Sequence, residues 1–240
     1  MYHDVYKETP SESGFDNAGA NYYKLQEQLF EGHIKKIQDL KKNVVLTFDD
    51  GGVSFYNIIV PILDKYGMRG HFFIPSNYIG KNGFLEAEHI RSLKASGHNI
   101  GSHSFSHPDN MTSLNLELRR KEWEQSLKQL SDIIGVPVTE VSIPNGYYDK
   151  GDIEFLRELG VTRIYTSSPS DNFNVDNVAI IGRYAINHDT SESDLQKIIN
   201  SRLRQYVIIA RCRLLTFVKN VMGDRYLRLK RIIRNSNSNE

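Results

Sequence analysis

Cysteine is nearly absent: Cys212 is the only one in 240 residues, so no disulfide can form within the chain and a reducing compartment is permitted. No apolar run approaches the roughly 18–20 residues of a membrane-crossing helix, so no transmembrane span is expected. The opening Met1-Tyr2-His3-Asp4-Val5 lacks a basic segment followed by an apolar one, so from this start a cytoplasmic protein is expected. There is no internal repeat, and low complexity is confined to the Asn/Ser-rich Asn235–Glu240, expected to fray. The body is acidic and carries no recognisable nucleic-acid-binding fold, so nucleic acid is not an expected partner.

What remains is an ordinary globular composition, 39% hydrophobic and 25% charged, with 13 Tyr and 11 Phe to build one substantial core. The formal charge of +1 hides an asymmetry. Residues 1–200 hold 20 Lys+Arg against 27 Asp+Glu, whereas residues 201–235 hold 10 Lys+Arg and only Asp224. Residues 201–240 therefore read as a basic tail with a job or a partner unlike that of residues 1–200.

Strand-like and helix-like stretches alternate along the body. Strands are expected at Val44–Phe48, Gly70–Pro75, Val138–Ile143, Arg163–Thr166 and Val178–Ile186. Helices are expected at Ile58–Tyr66, Ala87–Ser96, Glu117–Ile134, Ile153–Leu159 and Glu192–Arg202, several stopped by a glycine such as Gly67, Gly97 or Gly135. Such alternation favours an α/β fold with a parallel sheet. The chemically capable residues all follow strand ends, where β/α barrels place their active sites, so a barrel or partial barrel fits better than an open sheet.

Two patterns carry the chemistry. Asp49-Asp50-Gly51 ends a strand, and His103 and His107 supply two imidazoles at i, i+4 spacing. One carboxylate and two imidazoles make three ligands with a fourth position open, the composition of a catalytic metal site. A neighbouring carboxylate is where a general base would stand. Adjacent strand residues face opposite sides, so both aspartates serve one site only if the chain leaves the strand there, which Gly51-Gly52 permits. Gly101, Ser102 and Pro108 put the histidine pair on a loop.

Thr47-Phe48-Asp49-Asp50-Gly51, followed by Gly97-His98-Asn99-Ile100-Gly101-Ser102-His103-Ser104-Phe105-Ser106-His107, resembles the polysaccharide deacetylase family (carbohydrate esterase family 4, the NodB-homology domain). Met1–Val5 and His71-Phe72-Phe73-Ile74-Pro75 resemble it too, and the likeness spans roughly residues 1–200. It implies a distorted (β/α)7 TIM-like barrel that removes acetyl groups, usually N-acetyl, from sugars. It further implies Asp50, His103 and His107 as metal ligands and Asp49 as general base. Pro144-Asn145-Gly146 would be the turn whose Asn145 N–H helps hold the oxyanion, and His188 the general acid for the departing nitrogen. The cofactor implied is a divalent ion, Zn²⁺ foremost, with Co²⁺ or Ni²⁺ as alternatives. An O-acetyl esterase, a deformylase and a non-catalytic carbohydrate-binding barrel are the rival readings.

Two positions depart from the pattern. Ser142 stands where many relatives carry an Arg that pairs with the base, which would let the pKa of Asp49 rise unless another Arg, such as Arg183, substitutes. Ile186-Asn187-His188 matches its motif loosely. His98 reads as a buried structural partner and His3 as a candidate pocket residue. His33, His71 and His89 read as packing or surface residues. Tyr147-Tyr148 could form a sugar-facing wall, Asp171 a further motif, and Trp123 is assigned no function.

Residues 201–234 combine apolar positions with ten cations, and Gly223-Asp224 is expected to break the helix before a second basic stretch, Arg225–Arg234. A basic amphipathic helical tail of this kind suits peripheral contact with an anionic membrane, or packing on the acidic body. Membrane contact would suit a deacetylase meeting sugar nucleotides or lipid-linked glycans at the inner face of the membrane, in surface-polysaccharide biosynthesis.

Overall fold

The computed structural model describes residues 1–222, with side chains described to Leu214. The expected helix break at Gly223-Asp224, the second basic stretch Arg225–Arg234 and the frayed end lie outside the described residues.

Seven strands form one curled sheet. In sheet order they are β3 (Leu46–Phe48), β4 (Gly70–Ile74), β5 (Asn99–Ser102), β6 (Glu140–Ser142), β7 (Arg163–Thr166), β9 (Val178–Gly182) and β8 (Asn172–Val175). All pairings are parallel except β8–β9. Two short strands, β1 (Val5–Tyr6) and β2 (Leu25–Gln26), form a separate parallel pair. Between them lies α1 (Ala18–Tyr23), and α2 (Glu27–Leu40) follows. The remaining helices are α3 (Val60–Lys65, entered through a π-helical turn at Phe55–Ile59), α4 (Ala87–Ala95), α5 (Leu116–Ile134), α6 (Lys150–Glu158), α7 (Glu192–Asn200) and α8 (Arg202–Met222). The expected barrel-like (β/α) architecture is present.

Met1 and Tyr2 bridge β3 and the segment that follows β9. The Tyr2 N–H donates to Thr47 and its carbonyl accepts from Asp49, while Ile186 N–H donates to the Met1 carbonyl at 3.0 Å. The segment after β9 is thereby tied back to β3, and the chain runs on through His3 to the buried Asp4. Within the core Phe48 stacks on Phe72 at 4.8 Å, and Tyr2 and Phe30 pack beside them. Such rings dominate core burial, each a large apolar area withdrawn from water. Trp123 is fully buried on α5, its apolar bulk outweighing the charges next to it in sequence.

The expected strand Val178–Ile186 is shorter, because it ends at Gly182 and the chain then turns to Met1. It gains an antiparallel partner through Asp176 and Asn177, whose φ of 45° and 69° are those of a tight hairpin turn.

Candidate active site

The chain leaves β3 through two consecutive left-handed residues, Asp50 (φ 84°) and Gly51 (φ 69°). This reversal lets Asp49 and Asp50 face the same space. Left-handed backbone at a non-glycine residue is strained and persists where the surroundings enforce it. Here they do: a Cβ on Gly51 would lie 2.9 Å from Pro75, and one on Gly52 would lie 1.9 Å from an Asp4 oxygen. Asp4 is buried and accepts from Ser13 and Ser54 at 2.9 and 2.8 Å, fixing the floor beneath the turn.

The histidine loop is folded by its own serines. Ser102 Oγ accepts from Ser104 N–H and Ser104 Oγ from His107 N–H, both at 3.1 Å. From α5, Glu122 accepts from the N–H groups of Phe105 and Ser106 and from the Ser106 hydroxyl, at 2.7–3.1 Å. His107 itself is left-handed, with φ 56°.

These turns bring three of the expected residues together. Asp50 Oδ1 lies 3.5 Å from His103 Nε2 and 3.4 Å from His107 Nε2, and all three candidate ligand atoms fall within 4.8 Å of one another. Ligands about 2.0–2.1 Å from a tetrahedral ion are about 3.3–3.4 Å apart, so the donor set fits a divalent cation such as Zn²⁺. His103 Nδ1 donates to the Ser142 carbonyl at 2.8 Å, which leaves its Nε2 lone pair facing Asp50. Among the described residues this is the one such three-residue cluster.

Asp49 stands beside it, 4.0 Å from His103 Nε2 and buried. Arg183 grips both its oxygens at 2.8 Å, and Ser142 Oγ donates to Asp49 Oδ2 at 2.9 Å. Burial pushes the carboxyl's pKa up, but Arg183, then His103 and His3, outweigh it and hold it at about 2. The pKa rise that Ser142 would otherwise bring is therefore prevented, and Arg183 is a buried partner of Asp49 rather than a surface residue.

Asn145 is exposed in the turn after β6, with φ 54° and ψ 3°. His188 lies on the rim: its side chain is 45% exposed, its Nε2 is 3.3 Å from Asp189, and its ring sits edge-on to Tyr22 at 4.9 Å. Among the described residues it contacts none of Asp49, Asp50, His103 or His107. His3 is nearer in its effects, with Asp50, Asp49 and His103 all acting on its charge, and its ring packs on Tyr23 at 4.9 Å. Phe15 packs on His107, also at 4.9 Å.

The remaining expectations resolve into structure. His98 is buried and accepts from Gly70 N–H, His33 contacts Tyr2 and Thr190, His71 pairs with Glu140, and His89 stacks on Tyr56. Tyr148 spends its hydroxyl on Asp171, which also accepts from Thr166. Phe15, Tyr22, Tyr23 and Glu122 had no sequence signal beyond ordinary loop and helix composition.

The model of the family described as "Polysaccharide deacetylase" matches residues 36–164, just over half of the chain. The chain belongs to the polysaccharide deacetylase family. The match holds Asp49, Asp50, His103, His107 and Asn145, and stops before Arg183 and His188. Among relatives, YxkH of Bacillus subtilis is 28% identical over 142 residues, 58% of this chain and 50% of that protein. The peptidoglycan-N-acetylmuramic acid deacetylase PdaA of Bacillus subtilis is 24% identical over 139 residues, 57% of this chain and 51% of that protein. The chain spans about half the length, or less, of the curated relatives it matches first. The fold is also that of the Streptococcus pyogenes deacetylase PplD, with a TM-score of 0.69 and 21% identity over 83% of this chain and 96% of that one. A de-N-acetylase from Aggregatibacter actinomycetemcomitans gives a TM-score of 0.70 at 19% identity, covering 82% and 97%.

Proposed function

We propose that this chain is a metal-dependent hydrolase that removes N-acetyl groups from an acetamido sugar within a polysaccharide, oligosaccharide or lipid-linked glycan. The observation that carries the reading is the convergence of Asp50, His103 and His107 beside an Asp49 that Arg183 keeps ionised. The relatives named as chitin deacetylases and as a peptidoglycan-N-acetylmuramic acid deacetylase support an N-acetylated glycan as the substrate class.

Asp50, His103 and His107 would hold the ion. A divalent cation held there would supply a Lewis acid for the acyl oxygen and would acidify the attacking water toward a pKa of about 7. Asp49, aligned by Arg183 and Ser142, takes the proton of the attacking water. The N–H of Asn145 is assigned to the developing oxyanion, a kind of donor worth about 3–4 kcal/mol in comparable holes. The departing sugar nitrogen leaves as an amine only if protonated, and His188 at the rim is assigned that proton.

The test is acetate release from N-acetylated oligosaccharides and lipid-linked glycans by metal-stripped protein with Zn²⁺ or Co²⁺ restored. Matching amounts of acetate and free amine support the reading. Acetate without amine would make it an O-acetyl esterase, and glycan binding without turnover a carbohydrate-binding barrel. A role in surface-polysaccharide biosynthesis at the inner face of the membrane belongs to the same proposal, and cell fractionation with glycan analysis of a deletion strain tests it.

A further inference from the structure

Helix α8 carries two apolar stripes, and only one of them meets the body. Gln205, Ile208, Ile209 and Cys212 are partly covered, and Gln205 donates to the Ile198 carbonyl at 2.8 Å. At about 100° per residue these four fall on one side of the helix. Leu203, Tyr206, Val207, Ala210 and Leu214 fall on the other. They are exposed, Leu203 and Tyr206 to 77%, Leu214 to 63% and Val207 to 52%.

The arginines are placed with equal regularity. Arg202 and Arg213 lie about 80–100° to one side of the exposed stripe, and Arg204 and Arg211 lie about as far to the other. All four are exposed, and among the described residues none sits within ion-pair distance of a carboxylate. An outward apolar stripe bordered on both flanks by cations matches the interface between acyl chains and anionic headgroups. The side of α8 that meets the body is the opposite one, so that contact leaves these residues uncovered.

The covered side of α8 also neighbours the rim of the candidate site. Burial, with Asp189, raises the pKa of Tyr22, and Arg211 acts on the same phenol in the opposite direction. Cys212 likewise neighbours Tyr23 and Tyr184. Tyr22 packs on Tyr23, and Tyr23 on His3 beside the aspartates.

We propose that the outward face of α8 docks on an anionic lipid bilayer, with Leu203, Tyr206, Val207 and Leu214 entering the headgroup–acyl boundary and the four arginines binding lipid phosphates. This inference stands apart from the deacetylase reading, because its readout requires no turnover.

Flotation of the full chain with vesicles of equal parts phosphatidylglycerol and phosphatidylcholine tests it, against phosphatidylcholine alone. The expected result is binding to the anionic vesicles only, weakened about tenfold or more in Arg204→Glu/Arg213→Glu and in Leu203→Glu/Tyr206→Glu. Circular dichroism should be unchanged, because the replaced side chains are exposed. Absence of flotation, or flotation untouched by both variants, overturns the proposal. So does a dimer in sedimentation velocity that Leu203→Glu/Tyr206→Glu converts to monomer, since a second copy would then own the face.

Discussion

Arg183 and Asp49, 134 residues apart, meet as a two-pronged ion pair inside the barrel, each Nη 2.8 Å from one carboxylate oxygen. Ser142 completes the triangle, accepting from Arg183 at 2.7 Å and donating to Asp49 at 2.9 Å. The guanidinium comes from the segment just after β9, whereas the strand position facing Asp49 on β6 holds the small hydroxyl. Arg183 also lies over the rings of Phe73 and Tyr165, which fill the space around its planar head.

The cation's position should therefore be transferable. Arg183→Ser should lower kcat about 10–100-fold, as loss of a residue orienting a catalytic group does. It should also cost about 3–5 kcal/mol of stability by leaving Asp49 buried without its partner. Ser142→Arg combined with Arg183→Ser should recover a measurable part of both, read by steady-state kinetics and denaturant melts. A double variant no better than the single one would mean that the guanidinium acts only from the segment after β9.

Metal binding and proton transfer should separate by variant. Asp50→Asn and His103→Ala should lose the ion, seen as loss of stoichiometric Zn²⁺ after dialysis, and lose turnover with it. Asp49→Asn should keep the ion and lose turnover, because its carboxylate lies 4.0 Å from His103 Nε2 rather than within the ligand cluster. Chelation of the wild-type protein should reproduce the first pattern, and Zn²⁺ should reverse it.

The sequence was most legible where chemistry is concentrated in short motifs. Asp49, Asp50, His103 and His107 could be named because each motif keeps its candidate residues within five positions, and the need to leave the strand at Asp50 followed from strand geometry. Arg183 could be nominated but not decided, since a pair spanning the barrel leaves no local periodicity. Glu122 was invisible because a glutamate on the outer part of an amphipathic helix reads as solvated charge, and only the fold shows it capping the histidine loop. The segment holding Phe15, Tyr22 and Tyr23 has short elements and no repeating pattern, so its place around the site comes from tertiary packing. Strand β8 had a signal in Asp176-Asn177, but its exposed residues hide the apolar alternation that marks a strand.

Glu122→Gln should behave as a loosened support for the ligand loop. The amide keeps one acceptor oxygen but loses the charge that receives three donors, so His107 should wander more than His103. Zn²⁺ affinity should fall about 10-fold, the lower end for residues that orient ligands. Excess Zn²⁺ should restore kcat, whereas Asp50→Asn should not recover at any metal concentration. Competition with a chromophoric chelator measures the first, and turnover against Zn²⁺ concentration the second.

Asp4 gives the fold a pH dependence of predictable sign. Burial, reinforced by Asp50, raises its carboxyl from 3.8 to about 6, while Ser54, Ser13 and Lys24 pull only partly the other way. A carboxyl with a raised folded-state pKa favours the folded state when protonated. Its contribution is complete below about pH 4 and is lost as the pH climbs through about 6. Ionised Asp4 should then cost on the order of 2–3 kcal/mol at neutral pH. Asp4→Asn keeps an acceptor for Ser13 and Ser54 but cannot ionise. The stability difference between variant and wild type, from urea melts of metal-free protein, should therefore move in the variant's favour between about pH 4 and 6 and stay flat above about 7. A difference independent of pH would mean that Asp4 keeps an ordinary pKa, with Lys24 compensating its charge in full.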